Sequence, residues 1–297
     1  MKFGIYRLEG INDEGSLCRI DQELGVPVGI RSYYRAWSNC CIADDLPWFE
    51  ALARSPRDVL LTWEPWRLPA GNSRPEEQPE FSLHRILSGQ FDTYIRDVAR
   101  TLAELPLSIY LRPLHEMNGN WYPWCGTVNG NSPDEFALVW HHLRNLFQEE
   151  HAANITWVWS PYVHSYPENP ENQIERYFPG DDAVDLIGLD GYNWGTDTDW
   201  GRWQSFVELF TDAYQTVTGL SGKDILIAEI ASAEGGGDKA SWIAEMLARL
   251  PSGFPQVRAV VWFDVLKECD WRLCSSEHVL NVFQQKAPDL FEGFGVG

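Results

Sequence analysis

Two glutamates carry the strongest chemical signal in the chain. Glu116 follows the apolar run Leu107 to Leu111. It stands in Leu111-Arg112-Pro113-Leu114-His115-Glu116-Met117-Asn118-Gly119-Asn120-Trp121-Tyr122-Pro123-Trp124. Glu229 closes the run Ile225-Leu226-Ile227-Ala228. A carboxylate at the end of so apolar a segment is costly to bury without a partner or a task. Breaking a glycosidic bond takes two such groups. One protonates the departing oxygen, and the other attacks the anomeric carbon or activates water. The plainer explanation of Glu116 is a structural carboxylate above packed rings. That explanation must also cover His, Glu, Asn, Trp, Tyr and Trp between positions 115 and 124. Together those residues offer flat faces for the C–H surfaces of sugars and polar groups for their hydroxyls.

As the acid, Glu116 must be protonated at rest. A neighbouring Glu229 carboxylate would raise its pKa by like-charge repulsion. Glu229 must stay ionised, and a phenol donating to it would help; Tyr192 is the candidate. The two carboxyl groups are expected about 5–5.5 Å apart for retention of configuration, and about 6.5–9.5 Å apart for inversion. In an ideal strand His115 points away from Glu116, so a bulge or the onset of a loop is needed to bring both into one pocket. No HExxH motif or facial triad is present, and His141-His142 are adjacent on a predicted helix with diverging rings. No metal or cofactor is expected.

The elements that must hold these groups alternate. Strands are predicted at Lys2–Arg7, Pro27–Tyr34, Asp58–Thr62, Leu107–Leu114, Asn154–Pro161, Val184–Leu189, Asp224–Ala228 and Val257–Trp262. Helices are predicted at Leu17–Leu24, Pro47–Arg54, Gly89–Leu105, Ser132 to Glu150, Trp203–Thr218, Lys239–Leu250 and Val279–Gln284. Ser132-Pro133-Asp134-Glu135 carries a capping box with Pro at the first helical position. Arg67 to His84 reads as a long loop walling a cleft, and Tyr162 to Gly180 as a loop with at most one short helix near Gln173–Tyr177. Several strands are continuous apolar runs, as a parallel sheet buried on both faces requires. The fold expected is a single (β/α)8 barrel over residues 1–297. An open doubly wound sheet is the alternative, but no Gly-rich phosphate loop follows the first strand.

In such a barrel the C-terminal strand ends converge on one face. Glu64, Glu116, Asp190, Glu229 and Asp264 lie at those ends, with Trp63, Trp66, Trp121, Tyr122, Trp124, Tyr192, Trp194 and Trp262. A ring of carboxylates and aromatics suits a neutral polyhydroxylated ligand.

Composition narrows the partners. The net charge of −20 over 297 residues repels nucleic acid and anionic membranes but not a neutral polymer. The 15 Trp are many for this length, and core filling accounts for about half of them. Six Cys form no CxxC or zinc spacing, although Cys269 and Cys274 could bridge a loop. Met1-Lys2 leads directly into Phe3-Gly4-Ile5-Tyr6 without a leader pattern, and no stretch approaches about 18 apolar residues. A monomer is expected.

The motifs RPLHEMNGNWYPW, GLDGYNWG, IAEIAS and VVWFD resemble glycoside hydrolase family 26. WFEALARSPRDVLLTWEPW, YFPGDDAVDLIGLDGYNWG and DWRLCSS extend the likeness over nearly the whole chain. The resemblance implies a configuration-retaining double displacement, with Glu116 as acid/base and Glu229 as nucleophile. It matches His115 to a residue lining the −1 subsite, Tyr192 to the tyrosine bonding the nucleophile, and Asp190 to a polar contact in that pocket. Trp121 and Trp262 match aromatics shaping the −1 and +1 sugars. With the strand-end residues Trp63, Trp124 and Trp194, these form the expected substrate-binding set. The implied substrate is β-1,4-mannan first, mixed-linkage β-1,3-1,4-glucan next and β-1,3-xylan third. Trp121-Tyr122-Pro123-Trp124-Cys125-Gly126 departs from the WFWWG-like run of many mannanases; its form also occurs in family members acting on mixed-linkage β-glucan. From that substrate an extracellular enzyme is expected. A non-catalytic carbohydrate-binding barrel is the alternative of a different class.

Overall fold

The computed structural model describes residues 1–8, 13–38, 40–54, 57–67, 74 and 76–291. Its strands are β1 (Lys2–Tyr6), β2 (Ile30–Ala36), β3 (Asp58–Glu64), β4 (Ile109–Pro113), β5 (Ile155–Trp159), β6 (Leu186–Asn193), β7 (Ile225–Ser232) and β8 (Val257–Phe263). They run parallel in the order β1 to β8 and close into a barrel. The helices are α1 (Glu14–Leu24), α2 (Ile42–Leu52), α3 (Leu83–Leu87), α4 (Asp92–Ala103), α5 (Pro133–Glu149), α6 (Phe206–Leu220), α7 (Lys239–Gly253) and α8 (Glu277–Lys286). The fold is the (β/α)8 barrel expected from the alternating pattern. No helix among the described residues is long and apolar enough to cross a membrane.

The contacts divide the chain into two compact units. The first comprises Met1–Ser32, Gly188–Gln215 and Asp224–Gly297. Here β1 pairs with β2 and β8, and β8 with β7. Phe3 of β1 packs against Phe283 of α8 and Phe291, and Trp262 of β8 against Trp242 of α7. That parity defines an outer face toward the helices. Gly4, Tyr6, Val261 and Phe263 take the opposite face, where Tyr6 and Phe263 stack at 4.9 Å. Gly4 is required there, since a Cβ would meet Val261 and Ile30 within 3 Å.

The second unit comprises Tyr33–Ile187 and Thr216–Lys223. β4 pairs with β3 and β5, and β5 with β6. Trp63 of β3 and Trp157 of β5 face the helices, where both rings meet Phe147 of α5. Thr62 and Arg112 take the other face. The capping box at α5 is present, with Ser132 and Glu135 exchanging bonds.

Some boundaries move. β2 begins at Ile30 instead of Pro27 and runs on to Ala36. α2 starts at Ile42, with Pro47 inside it. β6 and β7 extend past their apolar runs, so Asp190 and Glu229 lie within strands. Three short 3-10 turns fold the 162–183 region, at Pro170–Asn172, Ile174–Tyr177 and Asp181–Ala183. Within the long loop predicted from Arg67, a 3-10 turn (Pro79–Phe81) and α3 form, while residues 68–73 and 75 lie outside the described residues.

Candidate active site

In the second unit, β4 stops at Pro113, and the backbone then turns left-handed at Leu114 (φ 55°) and again at Glu116 (φ 53°). Such conformations are rare for residues with a side chain and cluster where function over-determines them. They break the strand alternation that would point His115 and Glu116 to opposite faces. The Glu116 N–H donates to Ser160 O at the end of β5 (2.8 Å). Its carboxylate Oε2 accepts from the Trp121 indole Nε1–H at 2.6 Å. Gly119 permits this approach, because a Cβ there would lie 2.6 Å from the Trp121 ring.

His115 is fully buried. Its ring centroid lies 4.8 Å from that of Tyr122, 5.8 Å from that of Trp124 and 6.0 Å from that of Tyr34. Burial, aided by the nearby Arg112 charge, holds His115 well below the ordinary histidine value of 6.5, so the imidazole is neutral. Arg112 donates from Nε and Nη2 to Thr62 Oγ1 (3.0 and 2.6 Å). Tyr162 and Tyr166 flank Trp121 at 5.4 and 5.7 Å. A cavity of about 470 Å³ opens beside it, lined by Arg74, Glu76, Asn120, Trp121, Thr127, Val128 and Pro167.

In the first unit, Glu229 owes its aim to a bulge. Ile227 pairs with Val260, but Ile230 pairs with Trp262, so β7 carries one residue more than β8 across Ala228-Glu229. Without the extra residue Glu229 would follow Ile227 onto the helix-facing side. The bulge turns it to the inner face, a common device beside active sites. There the Tyr192 O–H donates to Glu229 Oε2. Asp190 shares the face of Tyr192 two residues earlier on β6 and is fully buried.

Three expected binding residues have other places. Trp63 is fully buried in the helix layer, its ring between Trp37, Tyr94 and Phe147. Trp124 is also fully buried; it stacks on Tyr122 at 4.4 Å, and its Nε1–H donates to His115 O, so it props the loop from behind. Trp262 faces α7, and its indole N–H donates to Trp271 O at 2.8 Å. Neighbouring strand residues alternate faces, and Trp63 and Trp262 fall on the outer parity. Trp194 keeps a partly exposed ring, 5.8 Å from Tyr192.

Trp271 was missed, because it lies beyond the strand end in the segment after β8. Its ring packs on Tyr192 (5.2 Å) and Trp194 (5.0 Å). The loop bearing it is tied down on three sides. Besides the Trp262 bond, Asp264 accepts from Leu273 N and Arg7 Nε. The buried Lys239 donates to Asp270 O and Arg272 O (2.8 and 2.9 Å). Asp264, a strand-end carboxylate, is thus a loop anchor. Phe263, edge-on to Tyr192 at 5.5 Å, completes this aromatic wall. None of the six cysteines, Cys269 and Cys274 included, is in a disulfide.

The sequence model of glycosyl hydrolase family 26 matches residues 76–287. Endoglucanase H of Acetivibrio thermocellus is 36% identical over 242 residues, covering 80% of this chain and 25% of that protein. Beta-1,3-xylanase TXYA of a Vibrio species is 33% identical over 120 residues, covering 40% of this chain and 24% of that protein. The chain thus spans about a quarter of the length of these curated relatives. Among solved structures, an endo-beta-1,4-mannanase double mutant from Cellulomonas fimi superposes with a TM-score of 0.73 at 17% identity, covering 98% of this chain and 71% of that one, which speaks to the fold.

Proposed function

Since the chain belongs to glycosyl hydrolase family 26, we propose that it is a retaining endo-β-glycanase whose eight strands serve one catalytic domain. The observation that carries this reading is a matched pair of supports. Each of two nearly buried glutamates sits on irregular backbone, and each accepts a hydrogen bond from a neutral aromatic donor. Neither donor neutralises its carboxylate, so both glutamates are left able to react.

Glu229 attacks the anomeric carbon, and the Tyr192 O–H steadies the carboxylate until the ester forms. Glu116 gives its proton to the departing glycosidic oxygen. The Trp121 N–H donates to its Oε2 and holds the carboxyl group in place. In the second half-reaction Glu116 takes a proton from water, which cleaves the glycosyl-enzyme and restores the anomeric configuration. Neutral His115 lines the pocket without adding charge, Asp190 reads a hydroxyl of the reacting sugar, and Trp194 offers its open face.

The substrate proposed is a neutral β-linked polysaccharide. The family resemblance puts β-1,4-mannan first. A second reading, a β-glucan, is favoured by the endoglucanase match over 80% of the chain. A reducing-sugar assay on mannan, mixed-linkage β-glucan and β-1,3-xylan tests both. Release of short oligosaccharides from one polymer supports the proposal and names the sugar. Binding to a polymer without cleavage would overturn it in favour of a lectin-like barrel.

A further inference from the structure

Trp200 stands out among the exposed apolar side chains. It is 72% exposed, yet it lies on a loop the fold takes care to fix. Thr196 N donates to Gly235 O at 3.0 Å, and Gly235 N returns a bond to Asp197 Oδ2 at 3.2 Å. Gln204 N donates to Asn193 Oδ1 at 2.9 Å and closes the far end. The strap is tight: Gly195 has φ 56°, and a Cβ there would lie 2.0 Å from Gly235 O. The exposed Leu8, Leu138 and Leu266 are ordinary scattered surface residues. Trp200 instead ends an aromatic row. Its ring lies 6.0 Å from Trp194, Trp194 lies 5.8 Å from Tyr192, and Tyr192 holds Glu229. Trp200 meets Trp194 edge to face at 62°, and Trp194 is tilted by 48° to Tyr192. Exposed Asp197 and Asp199 stand three and one residues before Trp200 in the same loop.

We propose that Trp200 is a distal sugar platform, stacking a neutral pyranose of the same polysaccharide chain beyond the sugar that reacts at Glu229. The proposal rests on the glycanase reading above. It gives the enzyme a grip that long chains reach and short substrates do not, so Trp200 sets a preference for polymer over oligosaccharide.

The test compares Trp200→Ala, Trp200→Tyr and the remote control Leu138→Ala, each first shown to melt like wild type. The readout is the ratio of kcat/KM on the preferred polymer to that on a short aryl β-glycoside. Trp200→Ala is expected to lower this ratio about tenfold, the size of one aromatic contact, through KM on the polymer. Trp200→Tyr, which keeps a flat face, restores most of it, and Leu138→Ala leaves the ratio alone. An unchanged ratio in Trp200→Ala, or no recovery with tyrosine, overturns the platform. Wild type inactive on every polymer would instead overturn the glycanase reading. Affinity electrophoresis in the same polymers then decides on Trp200: retardation lost in Trp200→Ala upholds the platform, and unchanged retardation removes it.

Discussion

The end of β4 and the end of β7 solve one problem in two ways. At β4 the strand stops, and two left-handed residues swing His115 and Glu116 off the strand line. At β7 the strand continues to Ser232, and a single extra residue rotates Glu229 within it. Glu116 therefore rides on a loop and takes its support from Trp121, five residues on in the same loop. Glu229 is held in a hydrogen-bonded ladder and takes its support from Tyr192, on another strand. The difference fits their proposed tasks. A group that gives and regains a proton gains from a neutral, local donor, whereas a nucleophile needs a fixed line of attack.

The carboxylates carry the largest expected effects. Glu229→Ala is expected to cut turnover by roughly four orders of magnitude or more on every substrate, since it removes the proposed nucleophile. Glu116→Ala should cost about 10²- to 10⁴-fold on polymer and far less on an aryl glycoside whose leaving group needs no proton. Steady-state rates on both substrates check this, and equal losses would deny Glu116 its role as the acid.

The aromatic donors give smaller signatures. Trp121→Phe and Tyr192→Phe each remove a hydrogen bond to a proposed catalytic carboxylate, so each is expected to lower kcat/KM on polymer by about tenfold. Tyr192→Phe should lose as much on an aryl glycoside as on polymer, whereas Trp121→Phe, which acts through the acid, should lose more on polymer. Steady-state rates on both substrates check this, and the reverse pattern would contradict the assignment.

The smallest effect is on stability. His115 has its folded-state pKa pushed down by burial and Arg112. Below about pH 6.5 the unfolded chain takes up a proton that the folded one refuses, so stability falls with falling pH, by at most about 1.4 kcal/mol per unit. Denaturant titrations should show wild type losing this increment relative to His115→Gln on the acid side of pH 6.5, with no such difference above it.

Much of this was readable in the amino-acid order. Apolar runs fixed the strand count, Ser132 and Glu135 announced the start of α5, and the residues around Glu116 and Glu229 pointed to the chemistry proposed for them. The orientations were not readable. In β8 every residue from Ala259 to Phe263 is apolar, so nothing in composition separates Trp262, against the helices, from Phe263, on the inner face. The bulge at Ala228-Glu229 exists only relative to the register of β8. Trp271 is positioned by Lys239, Asp264 and Trp262, whose contacts with its loop arise only on folding.

The most direct measurement of the central claim is covalent trapping. A 2-deoxy-2-fluoro β-glycoside of the preferred sugar, with a good leaving group, is incubated with the enzyme, and the peptic digest is mapped by mass spectrometry. One glycosyl mass added to the peptide at Glu229, and absent in Glu229→Ala, is the predicted result. A label on any other residue would contradict the account.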